Sequence, residues 1–331
     1  MILTEIKEAG IRDVVGSCQD LNTWIYELPN GIRMREVCID SGKGGSHVEI
    51  MHLSDMHFNY MNAQDMKEAN PTLLSTYEYR TWGAEGGFTS KAAKLLEYAN
   101  GADQIVITGD VLDYLSHGAV ELTYREIWNK YPDTIISVGN HDFVQNVQGT
   151  VEESLSEADR WKWIERVWKH DPHYFARVIS DKVMVIQLNN GENRFYHSQV
   201  TKLNEDVKFA REHGYVVLLF MHEPLVTGNP ADTAVVPVLP DRDAISGTYD
   251  FYTGKRWSNV YPAIDAETED MFRVITTNAD VIRGVFNGHI HTSFYTEILA
   301  KTPEGNNTFI PQYTLCASAF HGGYGLRITI K

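Results

Sequence analysis

Six short, continuous apolar runs recur from about residue 46 onward, and several of them end in a glycine followed by a polar residue. Runs of this length and composition are typical of strands that are buried on both faces of a sheet. They predict six core strands, which are VEIMHLSD (48–55), QIVITGD (104–110), TIISVGN (134–140), VMVIQLN (183–189), YVVLLFMH (215–222) and VIRGVFNGH (281–289).

Helical patterns lie between several of these strands, over residues 90–100, 199–212 and 266–277, with Gly101 and Gly214 as stop signals after the first two. After His291 three closely spaced runs, SFYTEIL, QYTLCAS and GLRITI, indicate a second and more antiparallel sheet. We therefore predict an α/β fold, a layered sandwich of two mixed β-sheets flanked by helices.

The domain organisation is predicted from the position of the first core strand. Residues 1–45 precede it and form an appended N-terminal segment, in which TWIYELPNGIRMREV indicates a hairpin around Pro29-Asn30-Gly31. Residues 46–331 form the main domain. Residues 227–262 have little periodicity and are interpreted as an insertion near the site.

The charge and the cysteines limit the possible partners and compartments. A formal net charge of −15 argues against a protein that tracks nucleic acid, because such proteins use Lys and Arg to release counterions from phosphates. The three cysteines are far apart and odd in number, which favours a reducing compartment.

The sequence shows no targeting segment and no run of about 18 apolar residues, so we expect a cytoplasmic protein without a membrane partner. It leaves the oligomeric state open.

Polar residues that can bind metals follow five of the predicted strands directly. The carboxyl ends of strands in an open α/β sheet meet at one crevice, so ligands that are distant in sequence can converge there. The five clusters are Asp55-Met56-His57, Gly109-Asp110-Val111-Leu112-Asp113, Gly139-Asn140-His141-Asp142, His222, and Gly288-His289-Ile290-His291.

The ligand types in these clusters indicate the kind of metal. Carboxylate, imidazole and amide groups together suit borderline transition metals, whereas Ca²⁺ and lone Mg²⁺ prefer oxygen ligands. Seven candidate ligands are too many for one tetrahedral ion but suit two ions that share a carboxylate. We therefore predict a dinuclear site at the carboxyl ends of the strands, with two divalent or mixed-valence ions of Mn, Fe, Zn, Co or Ni.

The order D-x-H, G-D-x-x-D, G-N-H-D, H, G-H-x-H resembles the calcineurin-like metallophosphoesterase superfamily over about residues 48–295. The resemblance implies that Asp110 bridges two metals. One metal site would then be completed by Asp55, His57 and His291, and the other by Asn140, His222 and His289.

The resemblance also implies the catalytic roles. A hydroxide that bridges the two metals would attack phosphorus in a small phosphomonoester or phosphodiester, and His141 would act as general acid, oriented by Asp113. The Ser/Thr protein phosphatases carry arginines beside these motifs, but in this chain Asp113 is followed by Tyr114 and Asn140 is preceded by Val138-Gly139. We therefore do not expect a protein phosphatase. Purple acid phosphatases place a glycine where this chain has His57 and a tyrosine where it has Asp113. This chain therefore lacks both features of that class.

Three alternatives stay open from the sequence. A cyclic-nucleotide phosphodiesterase is one specific branch that the G-N-H-D motif resembles. A nuclease would need a basic groove despite the negative total charge, and a non-catalytic scaffold would be expected to have lost motif residues. Asp142 either supports a neighbouring ligand or is an ordinary turn residue, and His52, which is out of phase with Asp55, is expected to pack in the core.

Overall fold

The computed structural model describes most of the chain. The described residues are 3–5, 26–27, 32–78, 88–143, 155–192, 194–225, 266–289, 291, 293–319 and 323–331. The predicted insertion at 227–262 and the turn of the predicted hairpin lie outside these ranges.

The described residues form strands and helices that alternate through the middle of the chain, as in an α/β fold. The strands are β1 (Leu3–Glu5), β2 (Tyr26–Glu27), β3 (Arg33–Ile39), β4 (Val48–Leu53), β5 (Gln104–Thr108), β6 (Ile135–Ser137), β7 (Tyr174–Val178), β8 (Val183–Leu188), β9 (Val216–Phe220), β10 (Ile282–Asn287), β11 (Phe294–Lys301), β12 (Asn307–Thr314) and β13 (Tyr324–Ile330). The helices are α1 (Ala63–Glu68), α2 (Pro71–Glu78), α3 (Phe88–Ala99), α4 (His117–Thr123), α5 (Glu157–Val167), α6 (His197–His213) and α7 (Ala266–Thr276).

The first sheet has seven strands in the order β1-β3-β13-β4-β5-β6, with β2 paired to β3. Strands β4, β5 and β6 are mutually parallel, whereas β13 is antiparallel to β4 and parallel to β3. Strands β2 and β3 pair antiparallel, with Tyr26 opposite Met34. The division of the chain near residue 45 stays a prediction.

The second sheet has six strands in the order β11-β12-β10-β9-β8-β7. Strands β8, β9, β10 and β12 are parallel, and the edge strands β7 and β11 are antiparallel to their neighbours. Both sheets are therefore mixed, as predicted. The runs after His291 do not form one antiparallel sheet, because β13 belongs to the first sheet and β11 and β12 to the second.

Alternate residues of the strands pack into different apolar layers. In β5, Val106 faces the layer between the two sheets, while Ile105 and Ile107 face a layer that includes Leu95 and Leu96 of α3. In β9, Leu218 lies between the sheets and its neighbours pack with residues of α6 and α7. Because side chains of a strand point alternately to opposite faces, each central strand is buried on both sides, which explains the continuous apolar runs.

The predicted helices at 90–100, 199–212 and 266–277 correspond to α3, α6 and α7, with ends that differ by no more than two residues. Gly214 ends α6 in the left-handed conformation (φ 68°), where a residue without Cβ is favoured. None of the helices in the described part of the chain has the length and apolar character needed to cross a membrane.

Candidate dinuclear metal centre

The polar clusters lie on the loops that follow five parallel strands. Strands β4, β5 and β6 carry the first three clusters, and β9 and β10 of the other sheet carry the last two. The loops after β4 and β5 continue the pairing of their strands, since the Asp55 and His57 amides donate to the Gly109 and Asp110 carbonyls at 3.0 and 2.8 Å. The site therefore sits at the shared carboxyl edge of both sheets.

Five non-glycine residues in the described part of the chain have a positive φ, and all of them belong to the predicted ligand set. They are Asp55 (52°), His57 (45°), Asp110 (50°), His289 (68°) and His291 (54°). L-residues rarely adopt this left-handed conformation, and its clustering is typical of functional sites. The backbone is strained where it aims these side chains inward.

Two glycines allow the loops to approach each other closely. A Cβ on Gly139 would lie 2.1 Å from Asp110 Oδ1, and a Cβ on Gly288 would lie 2.2 Å from Asp55 Oδ2. No real Cβ makes contacts this short. These positions therefore need glycine for space, and any larger residue would press on a candidate ligand.

The first candidate metal group consists of Asp55, His57, Asp110 and His291, whose ligand atoms all lie within 4.8 Å of one another. His291 Nε2 lies 3.0 Å from His57 Nε2 and 3.1 Å from Asp55 Oδ1. His57 Nε2 lies 3.9 Å from both Asp55 Oδ1 and Asp110 Oδ2. Two carboxylates and two imidazoles thus surround one small volume.

The second candidate metal group consists of Asp110, His222 and His289. Asn140 joins it, because its Oδ1 lies 3.0 Å from both His222 Nε2 and His289 Nδ1, which are 3.1 Å apart. Asp110 Oδ1 lies 3.3 Å from His222 Nε2. Asp110 is therefore common to both groups.

The hydrogen bonds show which nitrogens face the metal positions. His222 Nδ1 lies 2.8 Å from the Thr108 carbonyl, which only accepts, so Nδ1 carries a hydrogen and Nε2 faces the second group. His57 Nδ1 lies 3.0 Å from Asp113 Oδ1, so its Nε2 faces the first group in the same way. Oriented imidazoles of this kind are typical of metal ligands.

The electrostatics of the site favour a positive charge. Burial opposes charge on His222, but the neighbouring Asp110 carboxylate outweighs it and raises the pKa of His222 to about 10. Burial lowers the pKa of His57 to about 4 and that of His289 to about 3. Burial also opposes ionisation of Asp55, yet its hydrogen bond with His291 holds its pKa at about 2. A metal cation could take the place of the proton on His222 Nε2, because a nitrogen must lose its proton before it can bind a metal.

His141 lies beside the two groups. Its backbone amide donates to Asp110 Oδ1 at 2.9 Å, and its ring packs edge-on to His57 with centroids 4.6 Å apart. His141 Nδ1 lies 3.2 Å from the Asp113 carbonyl and 3.3 Å from Asp113 Oδ1. Asp113 therefore contacts both His141 and His57, although sequence reasoning assigned it to His141 alone.

The structure brings all nine predicted site residues to one edge of the sheets, and it adds supporting residues that sequence reasoning missed. Asn190, two residues after β8, accepts from the amides of His222 and Glu223 through Oδ1, both at 3.0 Å. Asn59 Nδ2 donates to Asp113 Oδ2 at 3.0 Å. Neither residue has a motif around it, but Asn190 directly follows the apolar run at 183–189, which was a usable signal.

Asp142 supports its neighbours. Its two carboxylate oxygens accept from the Leu112 and Gly139 amides at 2.7 and 2.8 Å, so it ties the loop after β5 to the loop after β6. The side chain is fully buried. Burial and the nearby Asp110 charge raise the pKa of Asp142 to about 8. The sequence left a turn role and a supporting role equally open, and these contacts favour support.

Comparison with solved structures finds several proteins of low similarity. A purple acid phosphatase from yellow lupin (Lupinus luteus) seeds is 11% identical, with a TM-score of 0.46, over 87% of this chain and 47% of that chain, so this chain spans about half of its length. A dimetal phosphatase from Danio rerio is 11% identical (TM-score 0.37; 82% and 87% covered), and the calcineurin-like phosphoesterase YfkN from Bacillus subtilis is 13% identical (TM-score 0.35; 83% and 82% covered).

The sequence profile of the calcineurin-like phosphoesterase family matches residues 48–293, and no curated protein sequence matches the chain. The matched region is more than half of the chain, and it holds both candidate metal groups. Members of this family use dinuclear metal centres. The chain therefore belongs to the calcineurin-like phosphoesterase family.

Proposed function

We propose that the protein hydrolyses a small phosphomonoester or phosphodiester at the two metal groups, with His141 as the general acid. The observation that carries this proposal is the position of Asp110. One of its oxygens lies near His57 of the first group and the other near His222 of the second. A single carboxylate that reaches both groups supports two metals in one reaction centre.

We assign one metal to Asp55, His57, Asp110 and His291, and the other to Asp110, Asn140, His222 and His289. Their imidazole, carboxylate and amide donors suit Mn, Fe, Zn, Co or Ni. When bound, two such ions supply positive charge to the phosphoryl oxygens and lower the pKa of an attacking water.

We propose that His141 moves a proton at the edge of the centre. His141 Nδ1 lies within hydrogen-bond distance of Asp113, so a proton passed to the leaving oxygen would come from Nε2 of His141. The side chain of His141 is 10% exposed and that of His291 is 30% exposed, whereas those of Asp55, His57, Asp110 and His222 are at most 1% exposed. Asn140 and His289 are also partly exposed. We therefore propose that substrate approaches from the side of Asn140, His141, His289 and His291.

A small substrate fits the charge of the chain. With a net charge of −15, the protein would repel a long polyanion, while bound cations can attract a small phosphate ester locally. We therefore propose a small phosphate ester as the partner and do not expect nucleic acid.

The test is hydrolysis of p-nitrophenyl phosphate and bis(p-nitrophenyl) phosphate by chelated protein reloaded with Mn, Fe, Co, Ni or Zn. The variant is Asp110→Asn, and the matched control is Asp181→Asn, an exposed aspartate just before β8, at the end opposite the site. We expect turnover that requires metal, disappears in Asp110→Asn and persists in Asp181→Asn. Turnover without metal, or unchanged turnover in Asp110→Asn, would contradict the proposal.

A further inference from the structure

His52 lies in β4 between the two sheets, and its side chain is fully buried. Its ring packs edge-on against Phe220 and Phe286, with centroids 5.6 and 5.9 Å away. Burial lowers the pKa of His52 to about 3, so the ring is neutral and carries one hydrogen. Its Nε2 lies 2.8 Å from Thr108 Oγ1. A polar ring in an apolar layer is stable only where such a contact satisfies it.

The contact continues as a chain of hydrogen bonds to a candidate metal ligand. Thr108 Oγ1 lies 2.8 Å from Ser54 Oγ, and Ser54 Oγ lies 2.5 Å from Asp55 Oδ2. All four side chains are fully buried. The chain therefore runs from the middle of the inter-sheet layer to the edge of the metal centre without exposure to bulk water.

The direction of each hydrogen bond follows from the carboxylate at the end. The Asp55 carboxylate can only accept, so the Ser54 hydroxyl donates to it. The Ser54 oxygen then accepts from the Thr108 hydroxyl, whose oxygen in turn accepts from His52 Nε2–H. His52 Nδ1, which keeps a lone pair in this tautomer, has no hydrogen-bond partner among the described residues.

The alternative hydrogen bonds are longer. Ser54 Oγ lies 3.1 Å from the Thr108 carbonyl, and Thr108 Oγ1 lies 3.4 Å from the Leu53 carbonyl. A hydrogen bond to an ionised acceptor is shorter and stronger than one to a neutral carbonyl. The arrangement directed toward Asp55 is therefore the favoured one.

We propose that His52, Thr108 and Ser54 are positioning residues that hold Asp55 as a one-oxygen metal ligand. Oδ2 accepts from Ser54 and from the His289 amide at 3.1 Å, so both donors occupy it. Oδ1 faces the first metal group, 3.1 Å from His291 Nε2. The inference rests on the proposed metal centre and assigns a role to residues outside its ligand set.

The decisive variants change the middle of the chain. Thr108→Val keeps the shape of the side chain but removes the hydroxyl, while Thr108→Ser keeps the hydroxyl and serves as the matched control. The Thr108 carbonyl that accepts from His222 is left in place in both. Metal affinity is measured by calorimetric titration of chelated protein with Mn²⁺ and with Zn²⁺, each alone, and the bound metal is counted by mass spectrometry.

We expect Thr108→Val to weaken binding of one of the two ions by roughly 10–100-fold, the range found when partners of metal ligands are removed. The metal affinity of Thr108→Ser should stay within about threefold of that of the wild type. If Thr108→Val does not fold, Ser54→Ala, which removes the donor to Asp55 directly, must show the same loss.

A second measurement does not depend on affinity. The ¹⁵N spectrum of histidine-labelled wild type, with the His52 signals assigned through His52→Gln, should show a protonated Nε2 and an unprotonated Nδ1. The opposite tautomer would overturn the proposal, and so would equal metal binding by Thr108→Val and Thr108→Ser. Wild type that binds neither metal would instead overturn the proposed metal centre, so the two failures are distinguishable.

Discussion

Replacing Gly139 by alanine tests whether the close approach of the loops after β5 and β6 forms the metal centre. The new Cβ would lie 2.1 Å from Asp110 Oδ1 and 2.4 Å from the Asp110 backbone nitrogen. Ordinary contact begins at 3.4 Å, so the carboxylate oxygen must move by about 1.3 Å. The backbone nitrogen cannot rotate away, so the two loops must separate.

The size of the effect follows from the tolerance of metal sites. Metal–ligand distances hold within about 0.2 Å, so a shift above 1 Å removes Asp110 from at least one ion. We expect the affinity for metal to fall by roughly 10–100-fold and turnover to fall with it. Overpacking alone should lower the free energy of unfolding of the metal-free protein by about 1–3 kcal/mol.

The assay combines metal counting after dialysis, hydrolysis of the two nitrophenyl esters, and urea unfolding in chelator. Gly44→Ala is the matched control, because a Cβ on Gly44 meets nothing within 4 Å. If Gly139→Ala binds metal and turns over substrate as Gly44→Ala does, the inference that Gly139 sets the position of Asp110 is refuted.

Three further predictions concern the same centre. His141→Ala should lower kcat by roughly 10²–10⁴-fold while both metals stay bound, whereas alanine at the exposed His47 should change neither; loss of metal in His141→Ala would instead indicate a ligand role. Asp142→Asn leaves one of the Leu112 and Gly139 amides without a carboxylate oxygen, so urea unfolding should show a loss of about 1–3 kcal/mol, and an unchanged midpoint would argue against the tie between the loops. Chelation should lower the melting temperature, since an ion at 100 times its Kd stabilises the fold by about 2.7 kcal/mol. If the chelated protein and the protein with restored metal gave identical melting curves, tight binding would be contradicted.

Local sequence patterns determined the strands and the identity of the candidate ligands. The runs that became β4, β5, β6, β9 and β10 were visible because strands buried on both faces need continuous apolar residues. The residues after them could be named because parallel strands place their carboxyl ends at one edge. Both arguments use local sequence patterns and a general property of parallel sheets, so the pairing of particular strands did not have to be known.

Only the tertiary structure decided how distant parts of the chain pair. The run GLRITI reads as a strand near β11 and β12, yet β13 inserts between β3 and β4 of the other sheet. Whether a strand lies at the edge or in the centre of a sheet depends on which neighbouring strands offer a matching apolar face and unpaired backbone N–H and C=O groups. The strand's own residues do not carry that information.

The supporting side chains depended on tertiary structure for the same reason. Thr108 and Ser54 are separated by 54 residues, and Asn190 and His222 by 32, yet each pair is in hydrogen-bond contact. Nothing near Thr108 in the chain distinguishes it from any other threonine at the end of a buried strand. Its role arises because the parallel pairing of β4 and β5 brings its hydroxyl beside Ser54, within the low-dielectric layer where an unsatisfied polar group is most unfavourable.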